Sequence, residues 1–355
     1  MNEEQRKNRA RIDRLNGEKR LGHADWTALL ATRDDSVREY AAGIARELAQ
    51  ARFGRNVFVR GIVEFSNVCR NDCLYCGIRK SNRNAERYRL SEAEILDCAD
   101  AGYAYGFRTF VLQSGEDATY PAERLAKLVR ELKMRHGDCA VTLSVGEMER
   151  GEYQMLFDAG ADRYLLRHET ADPDHYRMLH PANLSWERRM RCLRDLKEIG
   201  FQTGCGFMVG SPGQTPDTLA KDMEFITDFG PAMIGIGPFI PHCDTPFADR
   251  PAGSVDETLF LLSLCRILKP DVLLPATTAL GTLDPVGREK GILAGANVIM
   301  PNLSPEQVRA KYMLYNNKTA VDVDTHILRS DLQRRLDGIG YTVLVSRGDY
   351  GETTC

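Results

Sequence analysis

Three cysteines stand within eight residues of one another, Cys69, Cys73 and Cys76, in the segment CRNDCLYC, with Tyr75 directly before the last. Zinc usually takes four ligands, often as two separated pairs, and no second pair follows downstream. Three thiolates suit a four-iron four-sulfur cluster instead, because they leave one iron open to chelate a small ligand through an amine and a carboxylate. The alternative is three unrelated buried thiols. It fits poorly with the charged neighbours Arg70 and Asp72, which do not make a core.

Other segments place polar side chains at comparable points along the chain. LQSGED carries Gly115 and Glu116, LSVGE carries Ser144 and Glu147, and RHET supplies Arg167, His168, Glu169 and Thr170 directly after the apolar run RYLL. Each reads either as a solvated turn or as part of a pocket. For RHET, charges at the end of an apolar strand are costly unless a ligand's charges compensate them. Thr277 and Thr278 in PATTA are either a β-branched strand end or two hydroxyls able to donate to a carboxylate. The glycine-containing stretches 204–215 and 235–246 suit close approach of backbone to a flat ligand.

Such residues need a scaffold that gathers them. Eight apolar or β-branched runs read as strands: Val57–Phe65, Thr109–Gln113, Ala140–Ser144, Arg163–Leu166, Thr203–Met208, Met233–Gly237, Val272–Pro275 and Asn297–Ile299. Helical periodicity fills the intervals near 91–106, 121–136, 149–159, 185–199, 215–230, 255–269 and 286–294, with Ser91 and Glu94 spaced as a capping box. Alternation of this kind predicts an α/β fold, a complete (β/α)8 TIM-type barrel. In such a barrel the active site lies at the carboxyl ends of the strands, where the segments above begin. Residues 1–55 read as an N-terminal helical cap, 56–301 as the barrel and 302–355 as an extension packing on it.

With 47 basic and 50 acidic side chains, the formal charge of −3 provides no broad field for nucleic acid or anionic lipid. The most apolar stretch, 259–283, is broken by Arg266, Lys269 and Asp271, and the N-terminus lacks the apolar centre of a signal peptide. A cytoplasmic protein without nucleic-acid or membrane partners is expected.

The cysteine spacing with its aromatic resembles the radical S-adenosylmethionine (SAM) superfamily. FSNVCRNDCLYCGIR, LQSGED, RYLLRHET, GIGPFIPHCDTP, PATTA and GANVIMPN together resemble the FeFe-hydrogenase maturase family HydE more closely than biotin synthase or methylornithine synthase. The resemblance implies that Cys69, Cys73 and Cys76 hold one four-iron four-sulfur cluster whose open iron binds SAM, cleaved reductively to a 5′-deoxyadenosyl radical. It further implies that Gly115, Glu116, Ser144, Glu169 and Arg189 contact SAM. Arg167, Thr277 and Thr278 would hold a substrate carboxylate, with Tyr312 and Tyr315 near the substrate end. The placement of Arg189 rather than Arg188 depends on one assumed insertion in PANLSWERR. The implied substrate is a cysteine-bound iron carbonyl cyanide unit; the implied partners are other hydrogenase maturases and an electron donor such as ferredoxin or flavodoxin. An amino acid or thioether metabolite is the alternative substrate, and a non-enzymatic iron–sulfur carrier the alternative role. Several family members carry further cysteines toward the C-terminus for a second cluster. YNNKTAVDVDTHILRS has none, so one cluster is expected, and a second would need ligands such as His326.

Overall fold

A computed structural model describes residues 1–32, 34–318 and 325–352; Cys355 and the side chain of His326 lie outside the described residues. Helices α1 (Glu3–Glu18), α2 (His23–Leu30) and α3 (Asp35–Phe53) come first. Asn2 and Gln5 cap α1 reciprocally, and the Asp34 carboxylate accepts the N–H groups of Ser36 and Val37 to start α3. Val37, Ala41, Ala45, Ala49 and Phe53 recur every fourth residue on α3 and give it one buried face.

The strands are β1 (Asn56–Val59), β2 (Gly61–Ser66), β3 (Thr109–Ser114), β4 (Ala140–Ser144), β5 (Arg163–Leu165), β6 (Gln202–Cys205), β7 (Met208–Val209), β8 (Met233–Ile234), β9 (Gly237–Pro238), β10 (Val298–Ile299) and β11 (Thr342–Leu344). Between them run α4 (Glu92–Ala104), α5 (Ala122–Arg135), α6 (Arg150–Asp158), α7 (Pro173–Leu179), α8 (Trp186–Ile199), α9 (Pro216–Phe229), α10 (Val255–Leu268), α11 (Thr278–Leu283), α12 (Gly287–Leu293), α13 (Glu306–Arg309) and α14 (Thr325–Asp337). The N-terminal helices lie outside the barrel helices, α2 against α9 and α3 against α10. No helix among the described residues is long and apolar enough to cross a membrane.

A parallel ladder runs β2-β3-β4-β5-β6-β8. Isolated parallel bridges carry it on, Met233 to Leu273 and Pro275 to Val298, and β10 pairs with β1. The staves thus return to the first in the TIM-type order, without one continuous sheet. Four expected strands differ from this outcome. Val272–Pro275 is reduced to its two bridges, because Pro275 has no N–H to extend a ladder. Val57–Phe65 breaks at Arg60, whose buried guanidinium donates to the Gly348 carbonyl in the barrel floor. Thr203–Met208 and Met233–Gly237 each divide in two, and β7 pairs with β9 apart from the main ladder. At the division Gly206 has φ 151, and a Cβ there would lie 2.0 Å from the Gly235 carbonyl oxygen. This glycine therefore serves backbone packing between neighbouring strands, not approach to a ligand.

The floor of the barrel is built by the segment after β11. Fully buried Arg163, at the start of β5, donates to Gln202, Thr109, the Arg347 carbonyl and Asp349, the last at 2.5 Å. Arg347 in turn pairs with Asp162 at 2.7 Å and with Asp349 at 2.7 Å. Burial opposes ionisation of Asp349, but Arg347 and Arg163 hold its carboxyl down at about 2.

Candidate active site

At the opposite end of the staves lies a cavity of about 1610 Å³ of non-atom space, open to solvent. Its walls include Cys69, Cys73 and Cys76, then Gly115, Glu116 and Ser144, then Arg167, Glu169 and Arg189, and finally Thr277, Thr278, Tyr312 and Tyr315. Every residue to which the resemblance gave a ligand role is therefore gathered on one cavity, whereas Glu147, His168 and Thr170 do not line it.

The cysteines follow β2 on a loop that is shaped from within. The Arg87 guanidinium donates to the carbonyls of Asn67, Ile78, Arg79 and Asn82, pulling both limbs of the loop together. Leu74 N–H donates to Leu179 at the end of α7. Gly115 lets β3's end meet this loop: a Cβ there would lie 2.4 Å from the Val68 carbonyl oxygen and 2.7 Å from Cys69 Cβ.

Burial raises the pKa of all three thiols; for Cys76, pushed up to about 12, the neighbouring Cys69 adds to it. Thiolates so disfavoured by their surroundings need cationic metal to exist. All three lie on one loop at one wall of the cavity, and three thiolates leave one iron of a four-iron cluster open to a ligand. The donor set therefore fits a polynuclear iron–sulfur cluster.

Past the cysteines, charges are arranged in couples. Arg189 Nε donates to Glu147 at 2.6 Å and its Nη1 to the Arg167 carbonyl, while Arg188 is turned outward to Glu147 and Glu149. Arg189 lines the cavity and Arg188 does not. Arg167 donates to Oε1 of Glu169 at 3.0 Å. Burial works against the Arg167 charge, but Glu169, with Tyr75 and Cys76, raises its pKa above the ordinary range. The other carboxylate oxygen, Glu169 Oε2, is buried without a partner, as is Thr277 Oγ1. On a cavity wall, the orphaned carboxylate oxygen is a place for a ligand's donor, and the orphaned hydroxyl can donate to a ligand's acceptor. Glu116 accepts from Arg70 and from the Glu147 N–H, both at 2.9 Å.

Two couples escaped the sequence reading. Glu64 and Lys318 form a buried ion pair on the cavity wall, with Lys318 also donating to the Tyr312 carbonyl. The signal was present, a glutamate inside the apolar run GIVEF, but its partner lies 254 residues away. Tyr75 meets His180 Nε2 at 3.3 Å, and His180 stacks on Tyr176 with ring centroids 3.9 Å apart. Burial and then nearby Arg189 bring His180 down to about 4, so this imidazole stays neutral.

Residues 63–226 match the model of the Radical SAM superfamily. The chain is 48% identical over 292 residues to the FeFe hydrogenase maturase subunit HydE of Thermotoga maritima, covering 82% of this chain and 83% of that protein. It is 28% identical to a 3-methylornithine synthase of Methanosarcina acetivorans, over 90% of this chain and 89% of the other. The crystal structure of methylornithine synthase (PylB) superposes with a TM-score of 0.81 at 25% identity, covering 94% of this chain and 97% of that one.

Proposed function

The chain belongs to the radical SAM superfamily, as a HydE-type enzyme that works with a four-iron four-sulfur cluster and SAM, and from that premise we propose that it matures the two-iron subcluster of an FeFe hydrogenase, acting on a cysteine-bound iron carbonyl cyanide precursor. When bound, the cluster supplies one electron to the sulfonium of SAM, breaking a carbon–sulfur bond to give methionine and a 5′-deoxyadenosyl radical. Cys69, Cys73 and Cys76 hold that cluster.

The observation supporting the reading is the convergence, on one cavity, of three thiols with an arginine–glutamate couple and a pair of adjacent threonines. Gly115, Glu116, Ser144, Glu169 and Arg189 receive SAM. Arg189 is held straight by Glu147, so its free guanidinium edge meets a carboxylate at little entropic cost. Arg167, Thr277 and Thr278 bind the substrate's carboxylate. Tyr312 and Tyr315 remain protonated, since burial raises both phenols, and can donate hydrogen bonds near the substrate end. Ile62, Leu165, Leu166, Ile240 and Met300 keep the remaining wall apolar and exclude water from a radical that would otherwise abstract hydrogen indiscriminately. A ferredoxin or flavodoxin supplies the electron.

The likeness to methylornithine synthase supports a second reading, rearrangement or radical attack on an amino acid in the same cavity. One experiment separates them. Reconstituted, reduced protein should release methionine and 5′-deoxyadenosine, and should restore hydrogenase activity to a maturation mixture lacking its HydE. Cleavage without restoration, with turnover of an amino acid, would favour the second reading. Iron delivery without SAM consumption would make the chain a carrier.

A further inference from the structure

Glu169 is a non-glycine residue at φ 65, a conformation that L side chains adopt only when their surroundings impose it. Its own N–H donates to the Gly206 carbonyl at 3.0 Å, which fixes one point of the turn. The flanking residues are held from behind by a carboxylate that does not line the cavity, Asp222 on α9. Asp222 and His168 are both fully buried. Asp222 Oδ1 accepts the Ala171 N–H at 2.5 Å and stands 3.3 Å from His168 Nε2. Because His168 Nδ1 accepts the Gly206 N–H at 3.2 Å, the imidazole proton sits on Nε2, facing Asp222. Phe207 and Phe225 wall the imidazole in, with centroids at 5.7 and 4.7 Å.

We propose that Asp222, acting with His168, is a positioning couple that grips the chain on both sides of Glu169 and holds its carboxylate toward SAM. A fully buried carboxylate is costly unless it is paired; this one makes one hydrogen bond, to Ala171 N–H, and one close charge contact, to His168 Nε2, and both go to the turn, while its Oδ2 has no partner. The proposal rests on the reading above that Glu169 is a SAM ligand, and its test treats clamp and ligand separately.

In the cluster-loaded enzyme, Asp222→Asn should speed hydrogen–deuterium exchange across 167–172 and weaken SAM binding about tenfold, the effect of losing one ordinary hydrogen bond. Cluster absorption and exchange elsewhere in the barrel should not change. In a Glu169→Gln background the same substitution should weaken SAM binding no further, since it acts through Glu169. His168→Leu should reproduce Asp222→Asn, whereas His168→Gln, which keeps an amide donor and acceptor, should stay near wild type. Wild-type exchange and affinity in both Asp222→Asn and His168→Leu would overturn the clamp. Equal loss of affinity with and without Glu169 would overturn its action through that residue. Fast exchange with unchanged affinity would leave the clamp standing and remove Glu169 from the SAM site.

Discussion

Both ends of the barrel bury arginine beside carboxylate, but they treat those charges differently. At the floor, Arg163 is met by Gln202, Thr109, Asp349 and the Arg347 carbonyl, so its charge is answered by protein. At the mouth, Arg167 faces a Glu169 that keeps one buried oxygen without a partner, and Thr277 Oγ1 is equally unanswered. The floor's polar groups hold the chain together; the mouth's are half-finished and wait for something else. Arg60 Nε is the floor's one exception among these arginines.

If this contrast is right, substitutions at the mouth cost activity with little loss of fold, and those at the floor do the reverse. The largest effect should come from Cys73→Ala, which should reduce SAM cleavage to background, with absorption showing no four-iron cluster and circular dichroism showing an intact barrel. A normal cluster spectrum would remove this cysteine from the site. Next, Arg163→Met should lower stability by about 3 kcal/mol, by removing the fully buried guanidinium that joins Gln202, Thr109, the Arg347 carbonyl and the half-buried Asp349. Urea unfolding would measure it, and SAM affinity of the folded fraction should not move.

Between these lies ligand affinity. Glu169→Gln or Arg189→Ala should weaken SAM binding by roughly 1.5–3 kcal/mol in calorimetric titration, while Arg167→Ala should chiefly weaken a carboxylate-bearing substrate analogue. Since Arg167 and Glu169 are bonded to each other, the Arg167→Ala and Glu169→Gln effects should be non-additive. Equal losses for both ligands in all three variants would merge the two subsites into one. The smallest effect concerns acid. Asp349 titrates at about 2 in the fold against an ordinary 3.8, so its contribution is present above pH 3.8 and lost as pH falls toward 2. Allowing for its partial exposure, that is on the order of 1–2 kcal/mol, and Asp349→Asn should flatten this part of a stability–pH curve.

Local signals in the sequence carried most of the architecture. The helices from α4 to α12 that were expected start and stop within two residues of their reading, since capping residues such as Ser91 and the glycines at C-termini are local signals. The cysteine loop was legible for the same reason. What spacing could not show were pairings over long separations: Lys318 with Glu64, Asp349 with Arg163, and Asp222 with the turn at Glu169. Short α7 and α11 were also missed: α7 opens on Pro173 just past the RHET turn and α11 directly on Thr278 of PATTA, so neither stood apart from the loop before it. The seventh stave failed as a strand because a proline at its end cannot donate to a ladder.

The pairing of β1 with β11 has a consequence in time. Asn56 is in register with Thr342, so these strands are 342 − 56 = 286 residues apart in the chain. A polypeptide that emerges from the ribosome with β1 first must carry that strand without this neighbour through the synthesis of the whole intervening barrel. The cysteine loop, only ten residues past β1's end at Val59, is made long before the floor can be laid beneath it. Completion of the molecule therefore runs opposite to its chemistry: the loop that will hold the reactive groups is translated early, and the strand and segment that lay the floor come hundreds of residues later.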